Sequence, residues 1–190
     1  LSDICILTTT KNKAQTVTDY LNSRGLPAAG RVTTGIFEDI DIHRIINLIV
    51  CLGNEYRDEY LMSVFISGYM FSNFTVRELA SIQAYVVTSR PDLREAALIL
   101  RLRFYCENAV GDLSDRVAGF INVFDDMRMQ SQTMDVDDIV ELIYKRTGIK
   151  ATMRSEGKDV NRLTFLKDWL SSNFKRFGCD ISGIAGELEH

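Results

Sequence analysis

The side chains best able to do chemistry in this sequence are carboxylates in adjacent pairs, at Glu38-Asp39, Asp125-Asp126 and Asp137-Asp138. Paired carboxylates can bind a metal ion or exchange protons with a substrate. Each pair also lies where a first helical turn or a solvent-facing helix side is expected, and negative charge is favourable at a helix N-terminus. We therefore interpret the pairs as helix-surface charges rather than as a catalytic or metal-binding set.

Motifs that bind nucleotides or metals are also missing. Gly157-Lys158 matches the Gly-Lys pair of a phosphate-binding loop, but Asp159 replaces the required hydroxyl residue and Thr152 replaces the upstream glycine. The four cysteines are widely spaced and His43 is the one internal histidine, so neither supplies the closely spaced ligands of a zinc site. We expect no catalytic residue, cofactor site or metal site within this chain.

Charge is distributed unevenly along the chain. Nine acidic and two basic residues between Glu107 and Glu141 give a net charge of −7, whereas nine basic and three acidic residues between Lys145 and Arg176 give +6. A basic surface can contact the phosphates of DNA. Alternatively, the neighbouring acidic helix neutralises these cations, and the net charge of −4 argues against strong autonomous DNA binding. The candidate phosphate-contacting residues are Lys145, Arg146, Lys150, Arg154, Lys158 and Arg162.

The spacing of apolar residues places these charges on helices. The central predicted helix lies within Ile36–Asn54, where apolar residues recur on one helical face. A second clear start is Thr75, which with Glu78 forms a capping box. The other predicted helices are Lys11–Arg24 with Gly25 as its cap, Tyr60–Ile66, Asp92–Asn108 with Pro91 in its first turn, Gly111–Met129, Val136–Thr147 capped by Gly148, and Asn161–Phe177.

One segment, Ser2–Thr10, is predicted to be a strand. A lone strand cannot satisfy its own edges, so we expect its partner strands to lie in another part of a longer protein. The fold class is mainly α, a helical bundle-like domain preceded by a short strand-helix unit. No apolar run is long enough to span a membrane and no signal peptide is evident, so we expect a cytoplasmic protein.

An ordered series of motifs resembles the UvrD/Rep/PcrA-type superfamily 1 DNA helicases. D-I-C-I-L-T-T-T, a helix with A-x-x-V-x-x-Y-L and then R-G-L-P-A-A-G occur in the first 30 residues. Phe37–Leu52 matches the family's F-x-x-x-E-I and leucine-rich helix, and Val64–Thr75 followed by V-R-E-L matches a later turn and helix. Asp112–Phe120 and Val140–Gly148 are most similar to the AddA/RecB-like branch.

The resemblance implies a division of the chain. Residues 1–35 would be a strand-helix segment of the 2A motor domain, 36–178 the helical 2B insertion, and 179–190 a flexible C-terminal segment ending in a tag remnant at 188–190. The 2B body would swivel on hinges near Gly30–Gly35 and Gly178–Gly186. The family's duplex contact, made by backbone amides at a turn before a helix, maps to Ser67, Gly68, Asn73 and Thr75.

The function implied is that of a non-catalytic fragment of an ATP-dependent DNA helicase acting in repair or recombination. ATP and Mg²⁺ would bind elsewhere in the parent protein, and this region would contact duplex or junction DNA, or a protein partner, and regulate unwinding. The alternative is a stand-alone α-helical protein-interaction domain with no enzymatic parent. An interaction domain would pack residues 2–25 into one core with the helices, whereas a helicase fragment would keep them apart.

Overall fold

Helices account for the regular structure of the protein. The computed structural model describes Ile6 and residues 11–26, 39–68, 74–174 and 180–188, and every regular element within these residues is helical. The mainly α fold class is therefore confirmed. The predicted strand Ser2–Thr10 lies, apart from Ile6, outside the described residues. The chain divides into two compact units, Leu1–Asp39 and Ile40–His190.

The first unit contains α1, Lys11–Ser23. Gly25 follows it with a φ of 75°, a left-handed conformation that glycine adopts without steric cost. The Gly25 N–H donates to the Asn22 carbonyl and the Leu26 N–H donates to the Leu21 carbonyl, both at 3.0 Å. These two bonds form a Schellman motif, which confirms Gly25 as the cap.

The second unit, called here the helical unit, contains the remaining helices. In chain order they are α2 Ile40–Gly53, α3 Asp58–Phe65, α4 Val76–Ser89, α5 Leu98–Asn108, α6 Asp112–Ser131, α7 Val136–Thr147, α8 Ile149–Ser155, α9 Asn161–Phe174 and α10 Ile181–Leu188. A single 3-10 turn, Pro91–Leu93, lies between α4 and α5.

Helix α2 is the centre of the helical unit, as its apolar sequence predicts. It packs against α3, α6, α9 and α10. A helix that is apolar on nearly all sides must be covered by others, and full burial of each aliphatic side chain contributes about 1.5–3 kcal/mol. Its buried apolar residues are Ile42, Ile45, Ile46, Leu48, Ile49, Val50, Cys51 and Leu52.

Aromatic rings fill the space between α3, α4 and α6. Phe65 and Phe74 stack with centroids 3.9 Å apart, and Phe120 meets Phe65 edge-on at 5.1 Å. Phe124 stacks on Phe120 at 6.0 Å. Offset and edge-on ring pairs add about 0.5–1.5 kcal/mol each to the burial term, so this cluster fixes the start of α4 onto α6.

The predicted helix Asp92–Asn108 is wrong in its first part. Pro91 begins the 3-10 turn instead, and α5 begins at Leu98. Ala97 precedes α5 and offers no side-chain cap. The cap comes from α3, where Asp58 accepts a 2.7 Å hydrogen bond from the Leu98 N–H. A boundary set by a residue 40 positions away leaves no signal in the local sequence.

Two short helices, α8 and α10, were not predicted. The expected flexible segment 179–190, and with it the expected hinge at Gly178–Gly186, contains α10 over Ile181–Leu188. Ile181, Ile184 and Ala185 of α10 are buried, and α10 packs on α2. Apolar packing therefore orders a segment whose glycines suggested flexibility. Residues 175–179 and 189–190 lie outside the described part of the chain.

Candidate nucleic-acid interface

The N-terminus of α4, where the sequence predicts a phosphate contact, is closed by its own side chains. The Thr75 hydroxyl accepts from the Glu78 N–H at 3.1 Å, and the Glu78 carboxylate accepts from the Thr75 N–H at 2.7 Å. Arg116 of α6 donates to Glu78 at 2.6 Å and lies 4.8 Å above the Phe74 ring. The capping box predicted from the sequence is therefore confirmed.

These bonds lower the pKa of Glu78 from 4.5 to about 2, chiefly because its carboxylate accepts from the Thr75 backbone and from Arg116. The carboxylate is thus charged near neutral pH and favours the positive end of the helix dipole. A ligand that needs the Thr75 hydroxyl would have to break this box. The amides of Val76 and Arg77 remain, because the first amides of a helix have no intrahelical acceptor.

Arg77 is a cation that the sequence analysis did not single out. It lies in the first turn of α4, is exposed, and makes no side-chain hydrogen bond or ion pair among the described residues. A positive charge near a helix N-terminus is unfavourable for the helix itself. Its position directly after the first helical residue is the signal that could have identified it.

The other predicted residues of this turn are only partly described. Ser67 follows the end of α3, and its hydroxyl donates to the Val64 carbonyl at 2.7 Å. Gly68 has a φ of 80°, a conformation that glycine adopts readily. Asn73 lies outside the described residues. Ser67 and Gly68 therefore end one helix and Thr75 begins the next.

Three of the six basic candidates form ion pairs within the helical unit. Arg146 pairs with Asp126 of α6, and Lys150 pairs with Glu141 at 3.1 Å. Lys158 lies 2.6 Å from Asp41 and 2.7 Å from Glu156, and these acceptors raise its pKa above the ordinary value. Carboxylates thus occupy these three cations, in the arrangement that the neutralisation alternative expects.

The other three basic candidates are more available to solvent. Lys145 and Arg154 are exposed and have no hydrogen bond or ion pair in the described part of the chain, and Arg162 is also exposed. Lys145 is in the last turn of α7 and Arg154 in the last turn of α8. Cations are favourable at helix C-termini, so these positions stabilise their helices while leaving the charged groups in water.

The acidic pairs bind partners from other helices. Asp125 accepts from both terminal nitrogens of Arg103, at 2.6 and 2.7 Å, and Asp126 pairs with Arg146. Asp137 accepts from the Ser171 hydroxyl of α9. The interpretation of Asp125-Asp126 and Asp137-Asp138 as helix charges is refined, because three of the four carboxylates connect neighbouring helices.

A buried carboxylate that the sequence analysis missed joins this network. Glu55, after α2, is 7% exposed, and its two oxygens each accept from one arginine, Arg103 and Arg128, at 3.0 Å. The two carboxylates facing Arg103 raise its pKa. Two cations and two anions, counting Asp125, balance one another, so the network stabilises α5 against α6 without leaving a buried charge unpaired.

The described residues contain no cluster of three or more His, Cys, Asp or Glu that could hold a metal ion. Within the same residues, no helix is both long and apolar enough to cross a membrane. What the helical unit presents to a ligand is therefore the start of α4 with Arg77, and the exposed cations of α7 to α9.

The chain is similar to part of AddA, the ATP-dependent helicase/nuclease protein of several bacteria. It is 24% identical over 145 residues to the Syntrophomonas wolfei protein, which covers 76% of this chain and 12% of the relative. The Acetivibrio thermocellus protein is 26% identical over 145 residues. The Clostridium perfringens strain 13 protein is 27% identical over 179 residues, or 90% of this chain and 14% of that protein.

The helicase similarity expected from the sequence motifs is confirmed at this coarse level. The chain spans about an eighth of the length of these curated relatives. No protein-family model matches the chain, and no solved structure matches it.

Proposed function

We propose that this chain is the helical 2B-type region of an ATP-dependent DNA helicase of the AddA branch. The observation that carries the proposal is the alignment of 76–90% of this chain with 11–14% of the ATP-dependent helicase/nuclease AddA from several organisms. The ordered motifs of the sequence support the same branch. Residues 1–35 belong in this proposal to the 2A motor domain, and residues 36–178 to the insertion.

ATP and Mg²⁺ then act in the rest of the parent protein. Turnover drives the parent along one DNA strand, and the helical unit moves as a body, contacts DNA and regulates unwinding. No residue of this chain is assigned a catalytic role in this division of labour. The purified chain should hydrolyse no ATP, and turnover above the level of a buffer blank would contradict the proposal.

DNA contact is proposed at two places. The first is the start of α4, where the amides of Val76 and Arg77 and the side chain of Arg77 face a phosphate. The second is formed by Lys145 and Arg154, which have no intramolecular partner in the described residues. Arg146, Lys150 and Lys158 are assigned to structure, because carboxylates already bind them.

The test is fluorescence anisotropy of a fluorescein-labelled hairpin duplex with a single-stranded tail, titrated with the full chain. Binding should be measurable at about 50 mM salt and should weaken on addition of salt, with a slope of about −0.9 in log K per phosphate contact. Absence of binding at low salt would contradict DNA contact by this region and favour the protein-interaction alternative.

A further inference from the structure

Helix α10 is a segment whose own sequence disfavours a helix. It has eight residues, I-S-G-I-A-G-E-L, including Gly183 and Gly186. Isolated helices of this length are marginal in water, and each interior glycine shifts the equilibrium toward coil about fivefold relative to alanine. The helical state of α10 therefore depends on what it packs against.

Its packing partner is α2, and the contact is unusually close. A Cβ atom placed on Gly53 would lie 2.5 Å from the Ala185 Cβ and 2.8 Å from the Ile181 carbonyl oxygen. No real side chain tolerates such distances. Gly53 thus serves the approach of α10, in addition to ending α2 as the sequence predicts.

Apolar contact and one cap hold α10 in place. Ile181, Ile184 and Ala185 are at most 2% exposed, and Asp180 accepts from the Gly183 N–H at 2.8 Å. Among the described residues, the one polar contact from α10 to α2 is the Ser182 hydroxyl, 3.5 Å from the Gly53 carbonyl. By contrast, ion pairs join α3 to α5, α5 to α6, α6 to α7 and α7 to α9.

The glycine at position 186 is not required by packing. A Cβ atom added there meets nothing within 4 Å, so alanine would fit and would strengthen the helix. A weak helix is thus retained at a position where a stronger one is sterically allowed.

We propose that α10 is a latch that docks on α2 as a helix and releases as a unit while α2 to α9 stay folded. Docking covers the C-terminal end of α2 at Gly53, and release uncovers it. The equilibrium is set by the helix propensity of residues 181–188 and by the space at Gly53. The proposal stands independently of DNA binding, because it concerns the fold of the helical unit alone.

Hydrogen–deuterium exchange of the full chain, read by mass spectrometry, tests the latch. Amides of α10 should exchange through a local opening, well before those of α7. Gly186→Ala should slow exchange in α10 about fivefold and leave α7 unchanged. The matched control is Gly119→Ala in α6, where an added Cβ also meets nothing within 4 Å, and it should leave exchange in α10 unchanged.

A second variant tests the docking contact. Gly53→Ala should abolish the protection of α10 and leave α7 protected, since the new methyl group occupies the position of Ala185. The latch is overturned if α10 exchanges only at the rate of global unfolding in the parent chain. It is equally overturned if Gly119→Ala and Gly186→Ala slow α10 and α7 alike, or if Gly53→Ala exposes α7 together with α10.

Discussion

Lys158 donates a 2.6 Å hydrogen bond to Asp41 across 117 residues of sequence, and Asp41 is fully buried. Asp41 lies in the first turn of α2, and Lys158 lies between α8 and α9. A carboxylate taken out of water must be compensated by nearby cations and hydrogen bonds. Lys158, which the sequence suggested as a phosphate contact, therefore fixes the α8–α9 connection to the central helix.

Lys158→Met should lower the stability of the helical unit, because the buried Asp41 loses a charged partner. Lys145→Met, at an exposed lysine without a partner in the described residues, should change stability within about 0.5 kcal/mol. Urea unfolding monitored by circular dichroism measures both. The double variant Asp41→Asn/Lys158→Met should lose less than the sum of its single variants, and strict additivity would contradict a direct pair.

Glu78 should make stability depend on acid pH. Its folded pKa is about 2, below the ordinary 4.5, so the folded state binds the proton less tightly than the unfolded state. Its contribution is therefore complete above pH 4.5 and is lost as the pH falls from 4.5 toward 2. The urea midpoint of the parent chain should exceed that of Glu78→Gln near neutral pH, and this difference should shrink in acid. A difference independent of pH would contradict the assignment; Glu59→Gln, at an exposed acid, provides the control.

Asp58 should stabilise the start of α5. Its carboxylate accepts from the Leu98 N–H at 2.7 Å and pairs with Arg101 at 3.0 Å. Asp58→Ala removes the cap of a helix that has none of its own, and loss of a capping side chain costs about 1 kcal/mol. Glu59→Ala, at the adjacent exposed acid, should be nearly neutral. Equal urea midpoints for the two variants would contradict a specific cap.

The proposed DNA contacts can be separated by salt dependence. Arg77→Ala and Arg154→Ala should each weaken duplex binding and reduce the slope of log K against log salt by about 0.9. Arg94→Ala is the control, because Arg94 is also exposed and its partner Glu95 is 3.6 Å away. Anisotropy titrations at several salt concentrations measure the slopes. An equal effect of all three variants would indicate a non-specific charge effect.

Local sequence signals predicted the helices whose ends they determine. The Thr75–Glu78 capping box, the Gly25 cap and the apolar face of α2 act within a few residues of the structures that they form. The predicted interface was less accessible from sequence. Whether Arg146 or Lys158 is available to a phosphate depends on Asp126 and Asp41, which are distant in sequence and become neighbours only through folding.

The errors have a common physical origin in contacts between helices. The start of α5 depends on Asp58 of α3, and α10 forms against α2 in spite of its glycines. Propensity is a weak determinant that tertiary packing overrides. Helix α8, with seven residues, is too short to establish an apolar period of its own.

Gly148 both ends α7 and precedes α8, with φ 64° and ψ 14°. No further residue separates the two helices, so this single left-handed residue sets the direction in which the chain turns. One inserted amino acid would rotate α8 by about 100° about its axis and carry Ile149 and Met153, at most 1% exposed, out of the interior. The α7–α8 elbow therefore admits no change of length, and evolution or design can vary its outer side chains but not its count of residues.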